Sequence, residues 1–475
     1  MNLSAEETVA QLRRGDINSE QILQKQLSKI SEFNPDLNAF VHVVESKESH
    51  NPSGLLHGLP VSIKDQIHVA GMPCTSGFEG LADFVPENDA KIVTDLKAAG
   101  AQILGKTNLP PLAMDFQTYN KVHGRTNNPW DQSYTTGGSS GGGACAVASG
   151  MSFAEIGTDL AGSLRIPASY CGVCSLMPTV DTLSTRGTMT LVEQSNHTIE
   201  YLPRVGPITR NIGDLRLMWE ALSGSDRCLQ AKDRVNKSIR LAVLPPSSEF
   251  PLHSQIEASI KHCSDVLSST DGIQLTPAVP EGFDWHQAWQ AYGVIQGYQF
   301  SALANPVQRL LGRLMSRAAV RRSPTFIKPI QQGNRRKKIW YQQAIQTRSQ
   351  IIGQLDEFFK HYDAWILPVT LVPAFQHVQA SFETDFVRDY DHSFDVMGQK
   401  LNYFEALTRL TTPFNLTGHP VVTLPVIKDN NTGIPIGVQI VGKRNGETAL
   451  LAVAEEIERC LGLNLYPLSS GEFSQ

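Results

Sequence analysis

Three short segments hold the residue types that can do chemistry. Lys64 closes the apolar run Leu59-Pro60-Val61-Ser62-Ile63. An ammonium is costly to bury, so an amine at the end of a half-buried strand is pushed toward its neutral, basic form. Ser139 and Ser140 lie within residues 137–143, GGSSGGG. Ser163 lies within residues 157–167, GTDLAGSLRIP. Small residues before Ser163 let a ligand approach the main chain closely. Successive backbone N–H groups in such a turn can converge on an oxygen anion.

Each segment also has a plainer reading. Lys64 can snorkel to solvent or pair with Asp65. GGSSGGG can be a flexible linker. It is not a phosphate-binding P-loop, because no lysine follows it. It is not a dinucleotide fingerprint either, because Asp159 falls in a glycine-rich turn and not at a strand end.

The elements that must position these residues are legible as patterns. Ser4 and Glu7 have capping-box spacing and open an amphipathic helix that ends near Gly15. Asn18 opens a second helix with Ile22, Leu23, Leu27 and Ile30 on its apolar side, and Asn34-Pro35 is expected to stop it. Residues 59–64 read as a strand alternating with period two. Asp89 is expected to cap a helix through Ala99, with a strand at Gln102-Ile103-Leu104 after it. Residues 144–148 read as a short packed helix, followed by a strand around 153–156. HPVVTLPV and IPIGVQIVG read as strands, and a helix runs from Glu447 to about Cys460. This rhythm predicts α/β. The expected organisation is one domain, 1–475. Its core comes from about 55–220 and 410–465, the N-terminal helices occupy 1–54, and 225–400 is an elaboration that shapes the substrate site.

Composition narrows the class. The chain has 475 residues, 41% of them hydrophobic and 18% charged, so a large core can be buried. A net charge of −5 excludes a protein that coats nucleic acid through overall basicity. No membrane span and no signal peptide is read, and the expected location is cytoplasmic. The seven cysteines read as reduced thiols, with Cys171 and Cys174 buried in preference to redox-active.

Other polar residues are assigned supporting roles. Arg165 is expected to neutralise a buried carboxylate, Asp159 being the nearest. His68 and His123 read as satisfied or solvent-facing. Asp385, Asp389, Asp391, His392 and Asp395 match no metal loop and read as a solvated acidic face. Arg309, Arg313, Arg317 and Arg321 recur every fourth residue, as on one helical stripe. The reading favoured for it is a solvated face balanced by the acidic cluster. Contact with RNA, an anionic lipid or an acidic substrate is the alternative.

Lys64, GGSSGG and GTDLAGSLRIP together resemble the amidase signature family. The resemblance continues at GKTNLP (105–110), Asn128-Pro129-Trp130, VGPITR (205–210), FNLTGHP (414–420) and PIGVQIVG. It implies a central mixed β-sheet covered on both faces by helices, and hydrolysis or transfer of an amide by a Ser–Ser–Lys triad. Ser163 would be the nucleophile, Ser139 the bridging serine held by a cis peptide bond, and Lys64 the general base. The N–H groups of Leu160, Ala161, Gly162 and Ser163 would form the oxyanion hole. The backbone near Ala113 and Gly137–Gly138 would line the substrate site. No cofactor and no metal is implied. The expected partner is a small-molecule amide, with no membrane or nucleic acid, and a homodimer is left open. Three positions depart from the family pattern: Ala161 stands where glycine is common, Met177 where lysine is common, and Cys174 where a small glycine is common. The alternatives to a free-standing amidase are the glutamine-hydrolysing component of a tRNA-dependent amidotransferase and a catalytically inactive binding homologue. The segment Pro110–Phe116 disfavours the tRNA-linked reading, whose members typically carry an acidic, phenylalanine-containing run there.

Overall fold

The computed structural model describes residues 3–44, 51–195, 197–224, 238–247, 249–383 and 388–462. Cys228 and Asp385 lie outside them. The centre of the fold is an eleven-stranded mixed sheet. In chain order its strands are β1 (Phe40–Val43), β2 (Pro60–Lys64), β3 (Gln102–Thr107), β4 (Ala154–Asp159), β5 (Cys174–Met177), β6 (Arg204–Thr209), β7 (Ile239–Val243), β8 (Ile273–Pro277), β9 (Ala364–Pro368), β10 (Val421–Lys428) and β11 (Pro435–Val441). Across the sheet they run β1-β3-β2-β4-β6-β5-β10-β11-β9-β7-β8. β3, β2 and β4 are mutually parallel, as are β9, β7 and β8, and antiparallel pairs join the two groups.

Strand periodicity sorts neighbouring side chains onto opposite faces. Trp365 and Leu367 enter one apolar cluster with Ile166, Trp289 and Phe414, whereas Ala364 and Ile366 enter a second with Val9, Leu215 and Leu451. Helices therefore cover both faces. The segment 225–400, expected as an elaboration on the core, supplies three sheet strands, β7, β8 and β9.

Several local expectations are met. Helix α1 (Ala5–Arg14) carries the Ser4/Glu7 capping box and ends at Gly15 in the left-handed region. α2 (Ser19–Leu37) begins at the Asn18 cap. Others are corrected. α2 does not stop at Asn34-Pro35 but runs through to Leu37. Pro35 falls in the last turn, and the Asn34 carboxamide closes the helix end by accepting from the N–H groups of Ala39 and Phe40. α3 (Lys91–Ala98) starts after Ala90, not at an Asp89 cap. The Asp89 carboxylate is engaged by the Ala70 N–H and by Lys97. β2 is buried along its whole length and does not alternate, because it is an interior strand covered on both faces. The arginine stripe is divided between α-helices Pro306–Met315 and Arg317–Arg322, which meet at Ser316. Arg322 pairs with Asp389 and Asp391, so the acidic cluster balances one end of the basic segment.

Candidate active site

Lys64 is the last residue of β2, and Asp159, expected within the glycine-rich turn, is instead the last residue of β4, with the turn beginning after it. These strands are parallel neighbours with Ile63 beside Ile156. Their C-terminal ends therefore open on the same edge of the sheet, where ligand sites of α/β sheets gather. Lys64 is fully buried, which excludes snorkelling. Its Nζ lies 2.6 Å from Ser139 Oγ, 3.0 Å from Ser140 Oγ and 3.0 Å from Thr158 Oγ1. Burial drives its pKa from 10.5 down to about 7, against the opposite pull of Glu155 and Asp159. The expected alternative partner, Asp65, is engaged elsewhere. It accepts from the Thr75 hydroxyl at 2.5 Å and faces Lys106 at 3.6 Å.

The glycine run is packed, not flexible. It leads into α4 (Gly141–Ala148), every residue of which is buried. A Cβ on Gly138 would come within 2.8 Å of the Phe116 carbonyl carbon, and one on Gly143 would overlap Glu155 Cγ. The Gly138–Ser139 peptide bond is cis. Gly137 adopts a positive φ and abuts Pro167 of α5 (Arg165–Cys171). Ala113 sits at φ 58 in the loop that passes Gly138 by way of Asp115 and Phe116.

The turn after β4 is built around one carboxylate. Asp159 accepts from Gly162 N–H at 2.8 Å, Leu164 N–H at 3.0 Å and Asn415 Nδ2 at 2.9 Å. Arg165 reaches it through Nε at 3.1 Å and NH2 at 3.0 Å, as expected of this arginine. Burial alone would raise the Asp159 pKa. The charge and hydrogen bonds of Arg165, with those of Asn415 and Leu164, bring it down to about 2. Tyr292 OH donates to the Leu160 carbonyl at 3.0 Å, and Thr411 Oγ1 donates to the Ala161 carbonyl at 2.6 Å. With their carbonyls tied back, Leu160 and Ala161 keep their N–H groups without an acceptor among the described residues, as does Ser163. Gly162 is different: its N–H is committed to Asp159. The four-donor turn expected from sequence thus has three free N–H groups. Gly162 keeps its place because φ is +122 and a Cβ would press on Ile166 and Thr411.

Ser163 is 5% exposed, and its carbonyl accepts from Ser140 N–H at 3.1 Å. The Ser139 and Ser163 hydroxyls are not hydrogen-bonded to each other. Sequence reading missed Thr158, Ser140, Tyr292, Thr411 and Asn415 as supports of the site. Thr158 and Ser140 lay inside the motifs already quoted. Asn415 lay inside the quoted FNLTGHP, far along the chain, and Tyr292 and Thr411 come from distant segments and carry no local signal. His68 and His123 are satisfied by Thr190 and Thr75. Cys171 and Cys174 are buried, and burial pushes both thiols well up. Among the described residues, no group of three or more His, Cys, Asp and Glu side chains forms a metal site, and no helix is long and apolar enough to cross a membrane.

A buried amine among hydroxyls thus lies beside a turn with free N–H groups at one edge of an α/β sheet. The chain belongs to the amidase signature family, whose Amidase domain matches residues 21–451. It is 29% identical to the A chain of the glutamyl-tRNA(Gln) amidotransferase from Prochlorococcus marinus (strain MIT 9303), over 94% of this chain and 95% of that one. The solved structure of 6-aminohexanoate cyclic dimer hydrolase superposes with a TM-score of 0.79 at 25% identity, covering 97% of each chain. The A chain of the Thermotoga maritima glutamyl-tRNA(Gln) amidotransferase superposes with a TM-score of 0.76 at 25% identity, covering 98% of this chain and 96% of that one.

Proposed function

We propose that the chain hydrolyses a carbon–nitrogen amide bond through an acyl-enzyme on Ser163. The observation that carries this reading is Lys64 Nζ 2.6 Å from Ser139 Oγ in a fully buried setting. Neutral Lys64 takes the Ser139 proton while Ser139 Oγ takes the proton of Ser163. Ser163 Oγ then forms a bond to the substrate carbonyl carbon. The carbonyl oxygen becomes an anion facing the N–H groups of Leu160, Ala161 and Ser163. As the C–N bond breaks, the proton returns through Ser139 to the departing amine. Water, deprotonated by the same relay, releases the acid and restores Ser163. This sequence needs Ser163 Oγ to meet Ser139 Oγ when substrate is bound. A depression of the lysine pKa to about 7 leaves a large neutral fraction near neutral pH.

The surroundings favour an apolar acyl group. Phe116, which abuts Gly138, shares a ring cluster with Phe326 and Phe404 at centroid separations of 5.7–6.3 Å. Tyr292, whose hydroxyl holds the Leu160 carbonyl, stacks on Phe326 at 6.2 Å. The charged groups beside the turn, Asp159 and Arg165, are spent on each other.

The second reading is the glutamine-hydrolysing component of an amidotransferase, favoured by the names of the sequence relatives. The third is an inactive binding homologue. A panel of aliphatic and aromatic amides, with glutamine included, separates the three when given to the purified chain. Turnover of simple amides by the isolated chain supports the first. Glutamine hydrolysis that appears only with a partner supports the second. A chain that binds amides and turns over none supports the third.

A further inference from the structure

One buried acid lies beside the lysine and has no part in the relay. Glu155 sits on β4, opposite Ser62 of β2. The next strand beyond β2 is β3, where Thr107 lies opposite Lys64. The Thr107 hydroxyl donates to Glu155 Oε1 at 2.6 Å. A bond from β4 to β3 has to cross β2 between them. The Glu155 side chain therefore passes over β2 between Ser62 and Lys64, on the face that carries the lysine stem. Helix α4 makes room for it from above, because a Cβ on Gly143 would overlap Glu155 Cγ. Glu155 is fully buried, and its Oε2 has no hydrogen-bond partner among the described residues.

The other charges nearby are already matched. Asp159 is held by Arg165, and Lys106 lies 3.6 Å from Asp65 while donating to the Ile67 carbonyl at 2.6 Å. The Lys64 amine is hydrogen-bonded to hydroxyl groups alone among the described residues. Glu155 is thus the acid left to answer the charge that Lys64 gains on taking a proton.

We infer that Glu155 is a positioning residue for the base: held by Thr107 and admitted by Gly143, it stabilises the ammonium formed at Lys64 during proton abstraction. This rests on the reading of Lys64 as the base. Burial raises the Glu155 pKa to about 7, with Ser62, Thr107, Lys64 and Lys106 drawing it back, so acid and amine change charge over the same pH range. Their titration belongs to the pair. Ionised Glu155 raises the lysine pKa, so removing it shifts the lysine to lower pH.

The test is the rate of Ser163 labelling by a fluorophosphonate probe, measured by intact mass from pH 5 to 9, on the full chain. Glu155→Gln keeps the shape and the acceptor for Thr107. Its acidic limb is expected to move to lower pH, with a plateau rate reduced about tenfold. Thr107→Val frees the carboxyl from its hydroxyl donor, favours its protonated form and shifts the limb in the same direction, which covers the case in which Glu155→Gln fails to fold. A group that merely props up the sheet would lower the melting temperature and leave the limb in place. An unmoved limb in the folded variants overturns the inference while leaving Lys64 as base, provided Lys64→Ala abolishes labelling. Wild-type chain that does not label at Ser163 removes the base reading and this inference together.

Discussion

Lys64 and Arg313 are both basic side chains on regular elements, and the fold treats them oppositely. Lys64 ends an interior strand, excluded from water and surrounded by three hydroxyls. Arg313 lies on the helix Pro306–Met315, none of whose described side chains is buried. There Arg309 and Arg313 spend their donors on nearby carbonyls, and Val307, Leu310, Leu311 and Leu314 face outward at 45–65% exposure. In the first region every atom near the amine is constrained by packing, so its protonation becomes a property of the fold. In the second the cations lie half-buried along a surface helix, held only by nearby carbonyls among the described residues. A charge becomes chemically useful where its solvent is replaced by fixed groups.

The contrast is broken or sharpened by a graded set of substitutions. The largest effect is expected at the relay. Ser163→Ala and Lys64→Ala should each lower amide turnover or probe labelling by about 10³-fold or more, with the far-ultraviolet circular dichroism unchanged. Asp159→Ala comes next. It leaves Arg165 buried without its partner and is expected to cost about 3–5 kcal/mol in urea unfolding. Gly138→Ala presses a methyl against the Phe116 main chain. It should cost about 1–3 kcal/mol and also lower Ser163 labelling, because the same backbone carries Ser139. Leu310→Ser on the exposed helix should change stability by no more than about 0.5 kcal/mol. A loss of several kcal/mol there would show that the two regions are not as different as their burial indicates.

The same contrast separates what was legible in the sequence. Ser139 and Ser163 lie in segments whose small residues are there for close approach: Gly138 against Phe116, Gly143 against Glu155, Gly162 in a turn open only to glycine; Lys64 stood out as an amine at the end of an apolar run. Local constraint of this kind leaves a local signature. The Asp159–Arg165 pair was readable for the same reason, since six positions separate them and both lie within one turn and helix start. That the Gly162 N–H is directed to Asp159 was not legible, because this contact is decided by the path of the turn. Tyr292, Thr411 and Asn415 reach the turn from more than a hundred residues away and could not be found from spacing. The strands β7, β8 and β9 were overlooked because they are short and lie among long helices, so helical periodicity dominated the text around them. Helix α2 outran its proline because Pro35 falls in its last turn, which the Asn38 N–H closes on the Asn34 carbonyl with Asn38 in the left-handed region.

The central claim is that Lys64 is a neutral amine near neutral pH. It is tested most directly by nuclear magnetic resonance of protein carrying ¹³C-labelled lysine, with the Lys64 Cε signal assigned by its loss in Lys64→Met. A titration midpoint near pH 7 is the expected result. A signal that stays that of a charged ammonium up to pH 10 would contradict it.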